Sequence, residues 1–362
     1  MELTAQSAPV EGLRPLRIVP EVVAETWRST ATVVVLALDG INDEVARAAW
    51  SQAQVETLTS TFPTTSVTAW LTAATGLEPA EHGVLGVVYY LPEARTCFHV
   101  FLDRGLEPVE LPPHRITDAP TFFERARDEG VRCLANPGEL ANWPSAWTDA
   151  ILRGAECVPS PTDWKALRHD PVAAADAAIR ETEAALGRGP LLVWTFVNFD
   201  DYLHRRGYDE PVLEGLARLE RAAADWAVAG HAVVAYADHG LVESAGDEEA
   251  RRAWAEATGP ATCRCPPGGA GRVRWAYPRA GKADELAEAV TAILDGRGIV
   301  TRREELIAMG LLGDTELVAE RVGEVVAVAT GRTSPLSDAD APFDHGSWER
   351  DELLVPLAIW SG

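Results

Sequence analysis

Three short runs of consecutive apolar residues stand out along the chain, and each is followed by acidic or amide side chains. They span residues 32–38, 191–197 and 232–237, with the sequences TVVVLAL, LLVWTFV and AVVAYA. Continuous runs rich in β-branched and apolar residues are typical of parallel strands that are buried on both faces. We therefore predict three strands of a central sheet, with ligands bound where those strands end.

Segments of helical character separate these strands. An Ala-rich stretch over residues 172–186 stops at Gly187, a leucine-spaced face runs through residues 213–226, and a third helix is predicted from about 283 to 294. A fourth, over 66–75, follows a loop stiffened by Pro63. Alternating strands and helices predict an α/β architecture around a central sheet.

The remaining segments determine the expected domain organisation. We predict one catalytic domain over residues 1–362, because no repeat or low-complexity linker divides the chain. Residues 1–28 are expected to form a loosely held N-terminal arm. The less regular ranges of about 87–158 and 243–274 are expected to be cap insertions, and Pro266–Gly271 is expected to be a glycine-rich surface loop.

Composition and charge limit the classes of partner. The 362 residues include 55 Asp and Glu against 32 Lys and Arg, a formal net charge of −23, and 47% are hydrophobic. This balance excludes the basic surface that binds nucleic acid polymers or anionic membranes. Neither a signal peptide nor a transmembrane run is recognised, and five scattered cysteines indicate a reducing cytoplasm. Abundant Ala with only two Lys indicates a bacterial source.

Candidate metal ligands and a candidate nucleophile follow the predicted strands. Carboxylates and imidazoles suit hard or borderline divalent ions, and a hydroxyl at a helix N-terminus lies in a field that favours its alkoxide. Asp200 and His204 have the i,i+4 spacing that places both on one face of a helical turn. Taken singly, each residue has an ordinary explanation as a turn, a surface contact or a solvated side chain. The candidates are Asp39, Ser66, Asp200, His204, Asp238, His239 and His345.

The order of these pieces resembles the alkaline phosphatase superfamily, in its type I phosphodiesterase/nucleotide pyrophosphatase branch. Residues 62–86, FPTTSVTAWLTAATGLEPAEHGVLG, are similar to that branch's nucleophile segment and its Thr-Gly-x-x-Pro-x-x-His-Gly element. The D-x-x-x-H, D-H-G and late H-G elements follow in the same order. The resemblance implies a three-layer αβα sandwich with a mostly parallel central sheet and cap insertions.

The resemblance also implies a site with two divalent metal ions. Zinc fits a ligand set of carboxylates and imidazoles without thiolate, and manganese is an alternative. Ser66 falls at the nucleophile position, where it would form a covalent phospho-enzyme. The branch usually has Thr there, and the neighbouring Thr64 and Thr65 are alternatives. The first ion would be held by Asp200, His204 and His345, and the second by Asp39, Asp238 and His239. Asp201 is an alternative to Asp200.

The expected function is hydrolysis of a small-molecule phosphodiester or pyrophosphate of nucleotide type. A phosphomonoesterase, or a hydrolase of phosphonate C–P bonds, would use the same metals with a different pocket. A mutase is disfavoured because its inserted domain does not fit the chain length, and a sulfatase because its C/S-x-P-x-R element is absent. A non-catalytic binding protein is also disfavoured, because it would be expected to lack some of the metal-ligand residues, and here all of those positions are filled. Three tryptophans of the expected cap form a hypothetical wall for a leaving group, namely Trp143, Trp147 and Trp164.

Overall fold

The structure is a computed structural model that describes residues 12–106, 116–189, 191–337 and 341–361. Within these ranges the strands are β1 (Arg14–Pro15), β2 (Val33–Asp39), β3 (Gln54–Thr59), β4 (Val88–Leu91), β5 (Thr96–His99), β6 (Arg104–Gly105), β7 (Cys133–Asn136), β8 (Glu156–Cys157), β9 (Leu192–Asn198), β10 (Ala232–Ala237), β11 (Val242–Glu243), β12 (Gly268–Ala270), β13 (Val273–Ala276), β14 (Gly298–Arg302), β15 (Val325–Ala329), β16 (Phe343–Asp344) and β17 (Leu354–Trp360).

The helices of the same ranges are interspersed with the strands along the chain. They are α1 (Val19–Ser29), α2 (Asp43–Ala49), α3 (Ser66–Thr75), α4 (Pro79–His82), α5 (Phe122–Asp128), α6 (Ala146–Leu152), α7 (Trp164–Leu167), α8 (Pro171–Leu186), α9 (Asp200–Arg206), α10 (Glu210–Val228), α11 (Glu248–Ala257), α12 (Ala283–Leu294), α13 (Arg303–Ala308), α14 (Glu316–Arg321) and α15 (Arg350–Leu353). The helices predicted over 66–75, 172–186, 213–226 and 283–294 are confirmed as α3, α8, α10 and α12.

Eight strands form a mostly parallel central sheet in the order β1-β3-β17-β10-β2-β9-β7-β8. Only β17 runs antiparallel to its neighbours. The three predicted strands are confirmed and are adjacent, since β2 lies between β10 and β9. All seven residues of β2 are buried, which explains why this strand is apolar without alternation.

Helices cover both faces of the central sheet. Trp70 of α3 packs against Trp194 and Phe196 on one face of β9. Thr195 points to the opposite face, where its hydroxyl lies 2.7 Å from that of Thr182 in α8. Helices α1, α5 and α6 pack with α3, whereas α2 and α10 pack on the side of α8. The predicted three-layer αβα arrangement is therefore confirmed.

A second sheet is entirely antiparallel and has the order β14-β15-β13-β12-β4-β5-β6. Its residues come partly from the two ranges expected to be caps. The range 87–158 also supplies β7 and β8 to the central sheet, so it is not one insertion over the sheet edge. The expectation of a surface loop over Pro266–Gly271 is likewise wrong, because Gly268–Ala270 forms the buried strand β12.

The N-terminal region differs from the expected arm wherever it is described. Arg14 and Pro15 pair with β3, and α1 buries Val19 and Val23 completely. Residues 14–29 are therefore packed against the rest of the domain, and residues 1–11 lie outside the described residues. Among the described helices, none is both long enough and apolar enough to cross a bilayer.

Candidate metal centre and cavity

The carboxyl ends of β2, β9 and β10 bring the predicted acidic residues to one edge of the central sheet. Asp39 ends β2 and lies opposite Asn198 in the pairing with β9. Asp238 directly follows β10, and its Oδ1 accepts a hydrogen bond of 3.1 Å from the backbone N–H of Gly40. The short helix α9 begins at Asp200, just after β9. Parallel pairing thus converts three distant sequence positions into neighbours.

The first predicted ligand group assembles as expected. Nε2 of His204 lies 3.2 Å from Oδ2 of Asp200, one helical turn earlier on α9. Nε2 of His345 lies 3.9 Å from the same carboxylate oxygen. One ligand atom from each of the three residues falls within 4.8 Å of the other two, a spacing that could hold a metal ion.

The second group forms around His239. Its Nε2 lies 3.7 Å from Oδ1 of Asp39 and 3.2 Å from Oδ2 of Asp238. Asp200 also approaches this group, since ligand atoms of Asp39, Asp200 and His239 lie within 4.8 Å of one another. Asp200 therefore lies between the two groups, an arrangement that the sequence did not predict.

Ser66 lies beside the second group, at the first position of α3. Its Oγ is 3.1 Å from Nε2 of His239 and 3.5 Å from Oδ1 of Asp39. The Thr64 hydroxyl instead donates to the backbone oxygen of Ser347 at 2.8 Å. Thr65 lines the adjacent cavity but precedes the helix as its N-cap. The geometry thus favours Ser66 over both neighbouring threonines.

Backbone carbonyls orient all three histidine rings. Nδ1 lies 2.7 Å from the oxygen of Phe343 in His204 and 2.7 Å from that of Thr64 in His345. In His239 the corresponding contact is 3.2 Å, to the oxygen of Gly240. A carbonyl can only accept, so these contacts place a proton on each Nδ1 and turn each Nε2 toward the site.

The electrostatics of the buried carboxylates fit bound cations. Burial, with Asp238 and Asp200 nearby, raises the pKa of Asp39 well above its ordinary range. Burial likewise raises the pKa of Asp238 to about 8. Buried Oδ1 of Asp200 and Oδ2 of Asp238 have no hydrogen-bond partner among the described residues. Because an unpaired buried carboxylate oxygen is costly, these atoms match the ligands of divalent ions.

The imidazoles respond to the same environment in different directions. Burial lowers the pKa of His239 and of His345. For His204, burial acts in the same direction, but the Asp200 carboxylate outweighs it and raises the pKa to about 10. Neutral rings at His239 and His345 are in the protonation state that a metal ligand requires.

Asp201, the alternative ligand, points into a different network. Its Oδ2 lies 3.3 Å from Nε of Arg168 and accepts a hydrogen bond of 3.0 Å from Asn198. Asp200 instead meets both His204 and His345. The choice of Asp200 over Asp201 made from the i,i+4 spacing therefore agrees with the geometry.

The second sheet supports the loop that carries His345. Arg272 and Glu352 form a fully buried ion pair of 3.1 Å, and the backbone N–H of Arg272 donates to the oxygen of His345 at 2.8 Å. At Gly271, which has φ +47°, a Cβ atom would lie 1.9 Å from that same oxygen. Sequence reasoning missed Arg272 and Glu352, because neither belongs to a motif.

A cavity of about 870 Å³ opens beside the two groups. It is lined by five of the predicted site residues, including Ser66, and by apolar and polar residues of the surrounding segments. Trp143 and Trp147 line it as expected. Trp164 is not among its lining residues, and its indole N–H donates instead to the hydroxyl of Ser160 at 3.0 Å. Two of the three tryptophans therefore lie at the cavity, and a role as a wall for a leaving group stays a hypothesis.

The family model of type I phosphodiesterase/nucleotide pyrophosphatase matches residues 46–348 of this chain. The match spans most of the chain, and it includes Ser66 and the ligands of the first group. The chain therefore belongs to this family, and it is a hydrolase that acts on phosphoric ester bonds. No curated protein sequence matches the chain.

Solved structures with the same fold include enzymes of three activities. Murine ectonucleotide pyrophosphatase/phosphodiesterase 5 is 17% identical with a TM-score of 0.61, covering 90% of this chain and 87% of its own. Phosphonoacetate hydrolase from Sinorhizobium meliloti 1021 is 18% identical with a TM-score of 0.61, covering 91% and 89%. Alkaline phosphatase PafA is 14% identical with a TM-score of 0.56, covering 92% and 91%. These likenesses confirm the alkaline phosphatase-like fold.

Proposed function

We propose that this protein is a two-metal phosphoesterase that hydrolyses a small phosphodiester or pyrophosphate of nucleotide type through phospho-Ser66. One observation carries the proposal. Two groups of carboxylate and imidazole side chains meet beside the Ser66 hydroxyl, and two of their buried carboxylate oxygens have no hydrogen-bond partner among the described residues. An acidic cluster of this kind needs cations before it can receive an anionic phosphate.

The ligand assignment follows the two groups. Asp200, His204 and His345 would hold one divalent ion, and Asp39, Asp238 and His239 the other. Such ions supply Lewis acidity, lowering the pKa of a serine hydroxyl or a water and offsetting charge on a leaving oxygen. Carboxylate and imidazole ligands fit zinc and also manganese.

The chain's own contribution is the nucleophile and its position. Ser66 Oγ attacks phosphorus, a bond from Oγ to phosphorus forms, and the bond from phosphorus to the leaving oxygen breaks. Water then attacks the phosphoserine, which releases phosphate or a phosphate monoester and restores the serine. Because Ser66 begins α3, the first free N–H groups of that helix favour negative charge at the reacting centre.

Hydrolysis of a phosphomonoester or a phosphonate C–P bond is the second candidate. Its support is that a phosphonoacetate hydrolase and an alkaline phosphatase share the fold at similar TM-scores. The cavity volume of about 870 Å³ suits a small phosphorylated molecule rather than a polymer. We also propose that the chain forms a single catalytic domain and that the protein is located in the cytoplasm.

Metal content and paired substrates test the proposed function together. Protein purified without chelator is expected to contain two divalent ions per chain by elemental analysis. It should hydrolyse bis(4-nitrophenyl) phosphate faster than 4-nitrophenyl phosphate, and chelation should abolish both activities until zinc or manganese is restored. A faster monoester rate would select the second candidate. Full activity without metal would contradict the two-metal site.

A further inference from the structure

A single tyrosine hydroxyl lies between the two loops that carry the second ligand group. Tyr208 donates through its hydroxyl to the backbone oxygen of Gly40 at 2.7 Å, and the same hydroxyl accepts from the backbone N–H of Leu241 at 2.9 Å. Gly40 directly follows Asp39, and Leu241 comes two residues after His239. One side chain therefore joins the loop after β2 to the loop after β10.

The backbone of Gly40 is hydrogen-bonded through both its N–H and its carbonyl. Its N–H donates to Oδ1 of Asp238 at 3.1 Å, and its carbonyl accepts from Tyr208. Gly40 and Asp238 are both buried. A shift of this segment would disturb a carboxylate of the second ligand group, and the Tyr208 hydroxyl opposes such a shift.

The turn between α9 and α10 brings Tyr208 to these loops. Gly207 follows α9 with φ +67°, and a Cβ atom there would collide with the ring of Phe343. The backbone oxygen of Phe343 is the acceptor that orients the His204 ring. Tyr208 lies only four residues beyond His204, so it links the helix of the first ligand group with both loops of the second.

The hydroxyl suits this bridge because it both donates and accepts. Burial, with the Asp200 carboxylate nearby, raises the pKa of Tyr208 above its ordinary value of 10. The group therefore keeps its proton at neutral pH, donates to the Gly40 carbonyl and accepts from Leu241. Phenylalanine has the same ring without the hydroxyl, and it would leave both backbone groups without this partner.

We propose that Tyr208 is a positioning residue for the second metal ion, because its hydroxyl sets the distance between Asp39 and the adjacent pair Asp238 and His239. The inference rests on the proposed function, since it needs the second group to hold an ion. Tyr208 does not line the cavity and acts through the two loops rather than through contact with a substrate. Removal of a hydrogen bond behind metal ligands typically lowers metal affinity about 10- to 100-fold.

Zinc binding to the metal-depleted protein tests the inference. Zinc is titrated, in competition with a chromophoric chelator, into the native protein and into Tyr208→Phe. The native protein should bind two ions. Tyr208→Phe should bind one of them about 10- to 100-fold more weakly and the other within about threefold of the native affinity. Its activity on an aryl phosphate diester should be low at limiting zinc and recover in excess zinc.

Tyr202→Phe is the matched control, because it removes a tyrosine hydroxyl from α9 itself. The Tyr202 hydroxyl donates to the Asp209 carboxylate at 2.7 Å, and Asp209 is not a candidate ligand. Both zinc affinities of Tyr202→Phe should remain within about twofold of the native values. Thermal unfolding of both variants without metal measures any general loss of stability, which excess zinc in the activity assay would not correct.

A ligand variant in each group assigns the weakened site. His204→Ala removes a ligand of the first group, and His239→Ala removes a ligand of the second. Adding Tyr208→Phe should weaken the zinc site that remains in His204→Ala. It should leave the site that remains in His239→Ala within about threefold of its affinity before the addition. The reverse pattern would overturn the assignment of Tyr208 to the second ion.

The outcomes distinguish this inference from the proposed function. A native protein that binds fewer than two zinc ions would contradict the two-metal site and the inference with it. Two bound ions in the native protein, with unchanged affinities in Tyr208→Phe, would overturn the inference alone. Equal losses of zinc affinity in Tyr208→Phe and Tyr202→Phe would also overturn it, as would an activity of Tyr208→Phe that excess zinc does not restore.

Discussion

The two sheets contribute to the candidate site in different ways. The mostly parallel central sheet positions the candidate carboxylate ligands, because Asp39, Asp200 and Asp238 lie at or just after the carboxyl ends of three adjacent strands. The antiparallel second sheet supplies no candidate ligand from its strands, but through Arg272 it contacts the loop that carries His345. The candidate carboxylate ligands thus lie at the edge of one sheet, and the second sheet contacts the loop of the candidate ligand His345.

The largest expected effect lies at the central sheet edge. Ser66→Ala should reduce kcat for an aryl phosphate ester by at least ~10³-fold, since it removes the hydroxyl that we propose as the nucleophile. Ser66→Thr retains a hydroxyl and should keep measurable activity. Steady-state rates with equal metal loading provide the test. A Ser66→Ala rate within tenfold of the native rate would assign the nucleophile elsewhere.

The adjacent residues Asp200 and Asp201 allow a sharper test of which carboxylate at this sheet edge binds metal. Asp200→Asn should lower activity by at least ~10²-fold and reduce the metal content, because Asp200 lies between both ligand groups. Asp201→Asn, its neighbour in the Arg168 network, should change activity by less than about tenfold and leave the metal content at two. Elemental analysis and rates on both variants decide the assignment, and reversed effects would make Asp201 the ligand.

The buried ion pair of Arg272 and Glu352 allows a test of how the second sheet supports the loop that carries His345. Arg272→Met should lower the free energy of unfolding by about 3–5 kcal/mol, because Glu352 would remain buried without its cation. Arg272→Met combined with Glu352→Gln should recover part of that loss, since the unpaired charge is then removed. Denaturant unfolding of both proteins measures the difference. An unchanged stability in Arg272→Met would show that the pair does not support the loop.

The smallest expected effect concerns His82, which is buried behind α3. Its Nε2 lies 3.1 Å from the Thr72 hydroxyl, and its Nδ1 accepts a hydrogen bond from the N–H of Val84. Burial lowers the pKa of His82 from 6.5 to about 3. The folded state thus binds fewer protons than the unfolded state between these values, so stability present above pH 6.5 is lost as pH falls toward 3.

The corresponding experiment compares pH profiles of stability. The slope from His82 is at most ~1.4 kcal/mol per pH unit, and His82→Gln should remove it while retaining both hydrogen bonds. Denaturant unfolding at pH 7 and pH 5 measures the difference between the two proteins. Parallel profiles would show that His82 does not carry the acid sensitivity.

Much of the central sheet could be predicted from the sequence because its strands are buried on both faces. Such strands give unbroken apolar runs, and their ends mark the ligand edge, as the strand ending at Asp39 shows. In the second sheet a comparable apolar run occurs at β15, Val325–Ala329, which was not among the predicted strands. Strand β12 of this sheet is a Gly-Gly-Ala segment that resembles a loop, and β4 to β6 are two to four residues long. Their pairing depends on tertiary contacts between distant segments.

Of the candidate site, too, one part could be predicted from the sequence and another part could not. Its ligands form local patterns, such as the spacing of Asp200 and His204, that sequence alone reveals. The approach of Asp200 to the second group is set by how α9 follows β9, and no local spacing encodes it. The ion pair of Arg272 with Glu352 joins residues 80 positions apart, so it too has no sequence signature.

Detection of a phosphorylated enzyme tests the central claim most directly. The metal-loaded protein is mixed with an aryl phosphate ester, quenched in acid, digested and analysed by mass spectrometry. The account predicts that the peptide containing Ser66 gains the mass of one phosphoryl group, and that the gain is absent after chelation and in Ser66→Ala. Turnover of the ester with no phosphorylated peptide, or with the phosphoryl group on another residue, would contradict the account.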